Sequence, residues 1–257
     1  MHRSHDYALL LRGWRAVARA AGVRVQVFAL AGKLPIYFLR AAAAADPRTI
    51  YLSAGIHGDE PAGPAALLAW AEKHAAHLRS HPCLLFPCLN PWGLLNNSRC
   101  DEHGCDLNRT FADKSPPTPV RELNRLIDRD HFALSLTLHE DYDATGFYLY
   151  EVMRRAPFWG EQLLRKARPV IAIDSRPNID RRRARGGLVR RQFKPQRFPA
   201  MPESIYLHRR HSYRTFTTET PSEFALEARI AAHVAVIEEC VRLARTSPRH
   251  GKAWTQL

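Results

Sequence analysis

The chain has 257 residues, 46% of them hydrophobic, and 38 basic against 25 acidic residues give a formal charge of +13. That length and apolar content suit one large domain with a sizeable core, while no apolar run approaches the roughly 18 residues of a membrane span. The start, leading into Tyr7-Ala8-Leu9-Leu10-Leu11-Arg12, is too short in apolar residues for a secretory signal, and five cysteines, an odd number, make no disulfide framework; one reduced, cytoplasmic domain over 1–257 without a membrane partner is the expectation.

Tyr7 to Ala21 places Leu10, Leu11, Trp14, Val17 and Ala18 at helical spacings, and Gly22 ends that helix. Val23 to Phe28 alternates as a strand, with Leu34 to Leu39 as its hairpin partner. The alanine run 41–45 fits a helical turn or a loop equally. Arg48 to Ala54 reads as a strand, and Pro61 to Leu78 as a helix whose prolines sit near its first turn. Cys83 to Leu89 is nearly all apolar, the signature of a strand covered on both faces. Asn90 to Phe111 is polar and turn-rich and reads as a loop region, where chemistry tends to sit. A helix over Val120 to Arg129 precedes a buried strand, Phe132 to Leu138, that ends directly at His139-Glu140-Asp141. Gly146 to Glu151 is a further strand and Phe158 to Ala167 a further helix. Arg214 to Glu219 alternates, placing Glu219 at a strand tip, and Glu223 to Leu243 closes the chain as a helix. Strands alternating with helices predict an α/β layered fold.

Much of the positive charge is local. The stretch of about 176–197 contains Arg176, Arg181-Arg182-Arg183, Arg185, Arg190-Arg191 and Lys194, with Pro177 and Pro195. It reads as a solvated arginine-rich loop, the alternative being a loop that lines or covers an anion-binding cleft. Net charge is the sole support for a nucleic-acid partner, and none is expected.

The organising stretch is Ser53-Ala54-Gly55-Ile56-His57-Gly58-Asp59-Glu60, where a strand runs through a glycine-bounded loop into a helix. Such a loop can aim His57 and Glu60 at one point. A lone His-x-x-Glu spacing says little in a chain with 13 histidines and 25 acidic residues. Three apolar strands, however, end at residues able to serve one metal centre: His57 with Glu60, then His139, then Glu219. Ligands of open α/β sheets bind at the carboxyl ends of strands, so these positions can converge. Two imidazoles and a carboxylate suit one zinc ion with a position left open to water. Glu219 is the candidate general base, Arg99 the candidate for polarising a scissile carbonyl, and Asn108 with Arg109 offers donors for a substrate carboxylate. Cys100 and Cys105 lack the partners of a four-ligand structural metal site, and Trp70, Trp92 and Trp159 read as packing residues.

Taken in order, His57-Gly58-Asp59-Glu60, Asn90-Pro91-Trp92-Gly93, Arg99, Asp106-Leu107-Asn108-Arg109, His139 and Glu219 in Thr218-Glu219-Thr220-Pro221 resemble the zinc carboxypeptidases of the carboxypeptidase A type. That family includes bacterial murein peptide amidases and, more remotely, the succinylglutamate desuccinylase and aspartoacylase group. The resemblance implies a three-layer α/β/α sandwich with a mixed central sheet, one zinc ion held by His57, Glu60 and His139, and Glu219 as base. It puts carbonyl polarisation on Arg99 and binding of the terminal carboxylate on Asn108 and Arg109. The family's mobile tyrosine falls on Tyr206, in preference to Tyr213. The chain departs from the pattern in a shortened Arg99-to-Asn108 interval, in Thr110-Phe111 after Asn-Arg, and in Glu140-Asp141-Tyr142 after the third ligand.

The leading expectation is a zinc metallocarboxypeptidase that hydrolyses the amide bond next to a free carboxylate in a small peptide. An N-acyl amino acid deacylase of the desuccinylase type shares His-x-x-Glu and Asp-Leu-Asn-Arg and stands as the alternative. A non-catalytic binding protein on the same scaffold would require a lost ligand or base, and none is lost.

Overall fold

A computed structural model describes residues 3–41, 46, 48–153, 156–191 and 200–246. Positions 42–45 of the alanine run, and 192–197 of the arginine-rich stretch with Lys194 and Pro195, lie outside the described residues. Helix α1, Tyr7–Ala21, falls where the periodicity predicts it. The Asp6 carboxylate caps its start by accepting the Leu9 N–H at 2.9 Å, and Gly22 ends it with φ 64°. In the hairpin, β1, Val25–Ala31, sits later than the sequence suggests, while β2, Leu34–Arg40, begins where expected. A register shift between Val27 and Ala29 absorbs one residue, so the first strand runs on past Phe28.

Strand β3, Ile50–Ala54, is buried throughout and leads to α2, Ala62–Lys73. The helix expected to reach Leu78 breaks at His74 and continues as a tighter turn, Ala75–Ser80, which aims fully buried Leu78 into the core shared with α1. Strand β4, Cys83–Phe86, stops at Pro87, which has no N–H to offer a ladder. The region read as loop contains a short helix, α3, Pro91–Asn96. Its signal is Asn-Pro: Asn90 accepts the Gly93 N–H at 2.8 Å and Pro91 takes the first helical position. Helix α4, Thr118–Ile127, leads to β5, Leu134–Asp141, β6, Tyr148–Val152, and α5, Gly160–Ala167.

The arginine-rich stretch is not a plain loop. It forms the hairpin β7, Asn178–Ile179, with β8, Arg182–Arg183, then β9, Leu188–Arg191, which joins the main sheet. Asp180 and Arg181, with φ 46° and 56°, make the two-residue turn of that hairpin. Helix α6, Glu203–Arg210, had no counterpart in the sequence reading, and it precedes β10, Thr215–Pro221, and α7, Leu226–Thr246.

The main sheet runs in the order β1-β2-β4-β3-β5-β10-β6-β9. β4, β3, β5 and β10 are mutually parallel, β2 and β6 flank them antiparallel, and the sheet is therefore mixed. Alternate residues of the central strands point to opposite layers. Leu52, Leu85 and Leu136 pack with α1, α2, α5 and α7, whereas Tyr51, Leu84 and Phe86 pack with α4 and α6, which gives the expected three-layer sandwich. The chain leaves β3 for β4 on one side and returns to β5 on the other, so a crevice opens at the carboxyl end of β3. No helix among the described residues is long and apolar enough to cross a membrane.

Candidate metal centre and its cleft

The loop after β3 is held by backbone. Gly55 adopts φ 63°, and a Cβ on Gly58 would stand 1.9 Å from the Gly93 carbonyl carbon, so the loop lies directly on α3. The Gly58 N–H donates to Ser98 O at 3.0 Å, and the Asn90 N–H to Gly55 O at 2.7 Å. This fixes His57 and Glu60, only 2% and 3% exposed, against the sheet. His139 reaches them from β5. Its position corrects the sequence reading: the strand continues through His139 to Asp141, and β10 likewise through Glu219 to Pro221, because the two strands keep pairing to Pro221 and Asp141.

Glu60 occupies the centre. Its Oε1 lies 2.6 Å from His57 Nδ1 and its Oε2 2.9 Å from His139 Nδ1. Donor atoms of all three residues lie within 4.8 Å of one another, and no other such group occurs among the described residues. Burial opposes the Glu60 charge, but the two imidazoles hold its carboxyl well below the ordinary range. Burial likewise opposes protonation of His57, yet Glu60 and a hydrogen bond to Asp106 raise its pKa to about 9. Two imidazole nitrogens and one carboxylate oxygen, converging in a buried spot at the end of an open cleft, are a donor set that fits zinc. Behind His57 stands Asp106, which the sequence analysis names only as the first residue of Asp106-Leu107-Asn108-Arg109. Its Oδ1 lies 3.2 Å from His57 Nε2 and accepts the Asn108 N–H at 2.9 Å, so one carboxylate orients both the imidazole and the Asn108 turn.

Glu219 is the register partner of His139 in the parallel pair β10 and β5, so both side chains leave the same face of the sheet. It keeps part of its surface open to the cleft, yet protein packs round it closely enough that desolvation, with the charges of Glu60 and Asp141, pushes its carboxyl well above the ordinary range. The cleft has a volume of about 510 Å³ and is lined by His57, Glu60, His139 and Glu219, with Arg99, Asn108 and Arg109. Arg99 stands at its mouth, 42% exposed, with Nη2 3.0 Å from Asp106 Oδ2 and Nη1 3.6 Å from Glu60 Oε1. The Asn108 Oδ1 accepts the Glu203 N–H at 2.8 Å, which leaves its Nδ2 as the free end of the amide. Arg109 Nη1 donates to the Asn108 carbonyl at 3.0 Å.

Tyr206 does not join this set. It packs on the α4–α6 side of the sheet against Phe111 and His211, with ring centroids 5.5 and 5.4 Å away, and does not line the cleft. Tyr213 packs under the Arg214 guanidinium. The tyrosines of the cleft are Tyr148 and Tyr150 of β6, bonded through their hydroxyls to Asp141 and Asp180 at 2.8 and 3.1 Å. Glu219 pairs with Tyr148 across the antiparallel ladder, a neighbour that no spacing along the chain announces. Part of the arginine-rich stretch also turns inward: Arg176, Arg182 and Arg191 line the cleft. Burial and the neighbouring Arg182 charge pull the Arg191 pKa down. These residues therefore line the cleft and are not part of a plain solvated loop. Cys100 and Cys105 are free thiols, and Trp70 and Trp159 are buried packing residues.

Comparison with known proteins agrees with this geometry. The profile of the succinylglutamate desuccinylase/aspartoacylase catalytic domain matches residues 46–178. Among solved structures, a Shewanella baltica protein provisionally named a metallopeptidase superposes with a TM-score of 0.81 at 23% identity, covering 94% of this chain and 93% of that one. A metallo-carboxypeptidase from Burkholderia cenocepacia gives 0.70 at 14% identity, over 93% and 69% of the two chains. The murein-tripeptide amidase MpaA of Escherichia coli O157 gives 0.58 at 18%, over 88% and 92%. At such identities the likeness is one of fold. No curated protein matches the chain by sequence. The profile match covers more than half of the chain, including the loop of His57 and Glu60, the Asn108-Arg109 turn and His139, and the chain accordingly belongs to the succinylglutamate desuccinylase/aspartoacylase family.

Proposed function

We propose that this chain is a zinc-dependent hydrolase that cleaves an amide bond beside a free carboxylate, with a small peptide as its substrate. One observation carries the reading: the buried donors His57, Glu60 and His139 meet within 4.8 Å in a cleft that also presents Glu219, Asn108 and Arg109. Zinc held by those three residues would supply Lewis acidity and water made nucleophilic near neutral pH.

The remaining work falls to the chain's own side chains. A Glu219 carboxylate oxygen takes the proton of the attacking water and returns it to the leaving nitrogen. Burial and the charges of Glu60 and Asp141 raise the proton affinity of this carboxylate, which strengthens it as the acceptor of that proton. Arg99, held by Asp106 at the mouth, donates to the carbonyl oxygen as negative charge gathers on it. Asn108 Nδ2 and the Arg109 guanidinium receive the substrate carboxylate and thereby set which amide bond reaches Glu219.

The profile match favours a second reading, hydrolysis of an N-acyl amino acid, in which the same residues act on an acyl group in place of a peptidyl one. A panel of free-carboxylate peptides, including cell-wall tripeptides, and of N-acyl amino acids, assayed with zinc-loaded protein and a Glu219→Gln control, separates the two. Release of a C-terminal residue supports the peptidase, cleavage of acyl amino acids alone supports the deacylase, and silence across the panel with zinc bound removes both.

A further inference from the structure

The reverse faces of β5 and β10 carry polar side chains that the proposed chemistry leaves unused. Neighbouring residues of a strand point to opposite faces, so Glu140 turns away from His139, and Thr218 and Thr220 turn away from Glu219. Glu140 is 5% exposed, and its carboxylate joins two elements: Oε1 accepts the Ala62 N–H at 2.7 Å, and Oε2 pairs with the Arg229 guanidinium of α7. Ala62 opens α2 two residues after Glu60. The neighbour of one candidate ligand is therefore tied, through a single carboxylate, to the chain just beyond another. One turn further along α7, His233 lies 3.0 Å from Thr218 Oγ1 and 3.3 Å from Thr220 Oγ1, behind Glu219.

We propose that the Arg229–Glu140–Ala62 strap sets the spacing of His139 from the His57–Glu60 loop and through it the affinity for the metal, so that Glu140 and Arg229 are positioning residues of the centre. The strap rests on the hydrolase reading above. A carboxylate suits this place for two reasons. The Ala62 N–H is one of the donors that a helix start leaves without an intrahelical partner, and the helix dipole favours negative charge there. A buried carboxylate in turn requires a cation, which Arg229 supplies from a third element. There is little slack for either strand or loop to move: a Cβ on Gly63 would already stand 3.2 Å from Leu138 Cβ, so α2 starts in direct contact with β5. With strand, loop and helix tied together, the three donors are placed before any ion arrives.

The test is zinc binding by the full-length apoprotein, read by competition with a chromophoric chelator. Glu140→Gln keeps an acceptor for Ala62 and loses the charge pair, and the double variant Glu140→Gln with Arg229→Gln leaves no buried charge alone. Both should raise the zinc Kd about 10- to 100-fold, with a smaller rise in Arg229→Lys, which keeps the cation. His233→Asn disturbs the same helix behind a strand that bears no candidate ligand, so its melting temperature should fall with the zinc Kd unchanged. An unchanged Kd in the folded double variant overturns the strap. So does an equal loss of affinity in His233→Asn, which would reduce affinity to a report on stability. If the glutamine variants do not fold, Arg229→Lys decides, since an unchanged zinc-induced rise in melting temperature overturns the strap as well. A parent protein that binds no zinc, or whose zinc survives His57→Ala, removes the hydrolase reading; a parent that binds zinc through His57 beside indifferent variants removes only the strap.

Discussion

The cleft has two walls of different construction. Its floor, with His57, Glu60, His139 and Glu219, stands on the carboxyl ends of β3, β5 and β10, where register pairs His139 with Glu219 and nearly every side chain is buried. Its outer wall, with Tyr150, Arg176, Arg182 and Arg191, comes from β6, the β7–β8 hairpin and the chain leading into it, and the edge strand β9. There Arg182 is exposed, Arg176 and Arg191 are half-buried, and Arg176 is tied to Asp174 at 2.6 Å. Groups that must hold a metal or move a proton gain from a rigid, dry setting, where charges act strongly. Groups that recognise an anion act through water-screened charge, so their contributions are smaller and easier to change. On the proposed reading, the molecule separates what the reaction needs from what selects the substrate.

That separation can be broken by substitution. Glu219→Gln, on the floor, should lower kcat by about 10²- to 10⁴-fold with zinc content unchanged, as metal analysis and turnover on one sample will show.

The floor should also be the part that acid reaches from beneath. His233 is fully buried with its pKa depressed to about 3, chiefly by desolvation, against an ordinary value of 6.5. Because the unfolded chain takes up this proton and the folded chain does not, stability should fall as the pH drops below about 6.5 and go on falling to about 3, by an amount on the order of several kcal/mol. Denaturant unfolding of the parent and of His233→Asn over that range checks this; parallel slopes for both would refute it.

Arg109→Ala should raise KM for a carboxylate-bearing substrate by roughly 10- to 100-fold with little change in kcat, since a charge-assisted pair held equally before and during reaction is lost. Smallest is the effect of Arg182→Ala, about two- to fivefold in KM, and it should vanish in high salt. A large, salt-resistant effect at Arg182 would mean that the outer wall is as rigid as the floor.

Much of the floor was legible in the sequence, and the outer wall was not. A strand, a glycine-bounded loop and a helix start deliver His57 and Glu60 within a few residues, so local spacing announces them. The Asn108-Arg109 turn is equally local, held by the Asp106 carboxylate two residues before Asn108. The missed α3 carried its own signal in Asn90-Pro91, a cap followed by a proline at the first helical position. Tyr206, sought by its place before Glu219 along the chain, does not line the cleft, whereas Tyr148 and Tyr150 reach it through strand pairing. The arginine-rich stretch misled in a similar way. Its charge says solvent, while the turn at Asp180-Arg181 and the pairing of β9 with β6 bring selected members inward.

By itself the sequence determined the layered α/β class, the kinds of donor and their order along the chain, because hydrophobic period, turn chemistry and residue type are properties of neighbours. Which residues face one another was decided only in the tertiary structure. The side-by-side placement of His139 and Glu219, the tyrosines across from them and the tie from Arg229 through Glu140 to Ala62 all depend on strand order and register. Those follow from how the whole sheet buries its two faces, and a shift of one residue in a strand would turn the entire set to the other side.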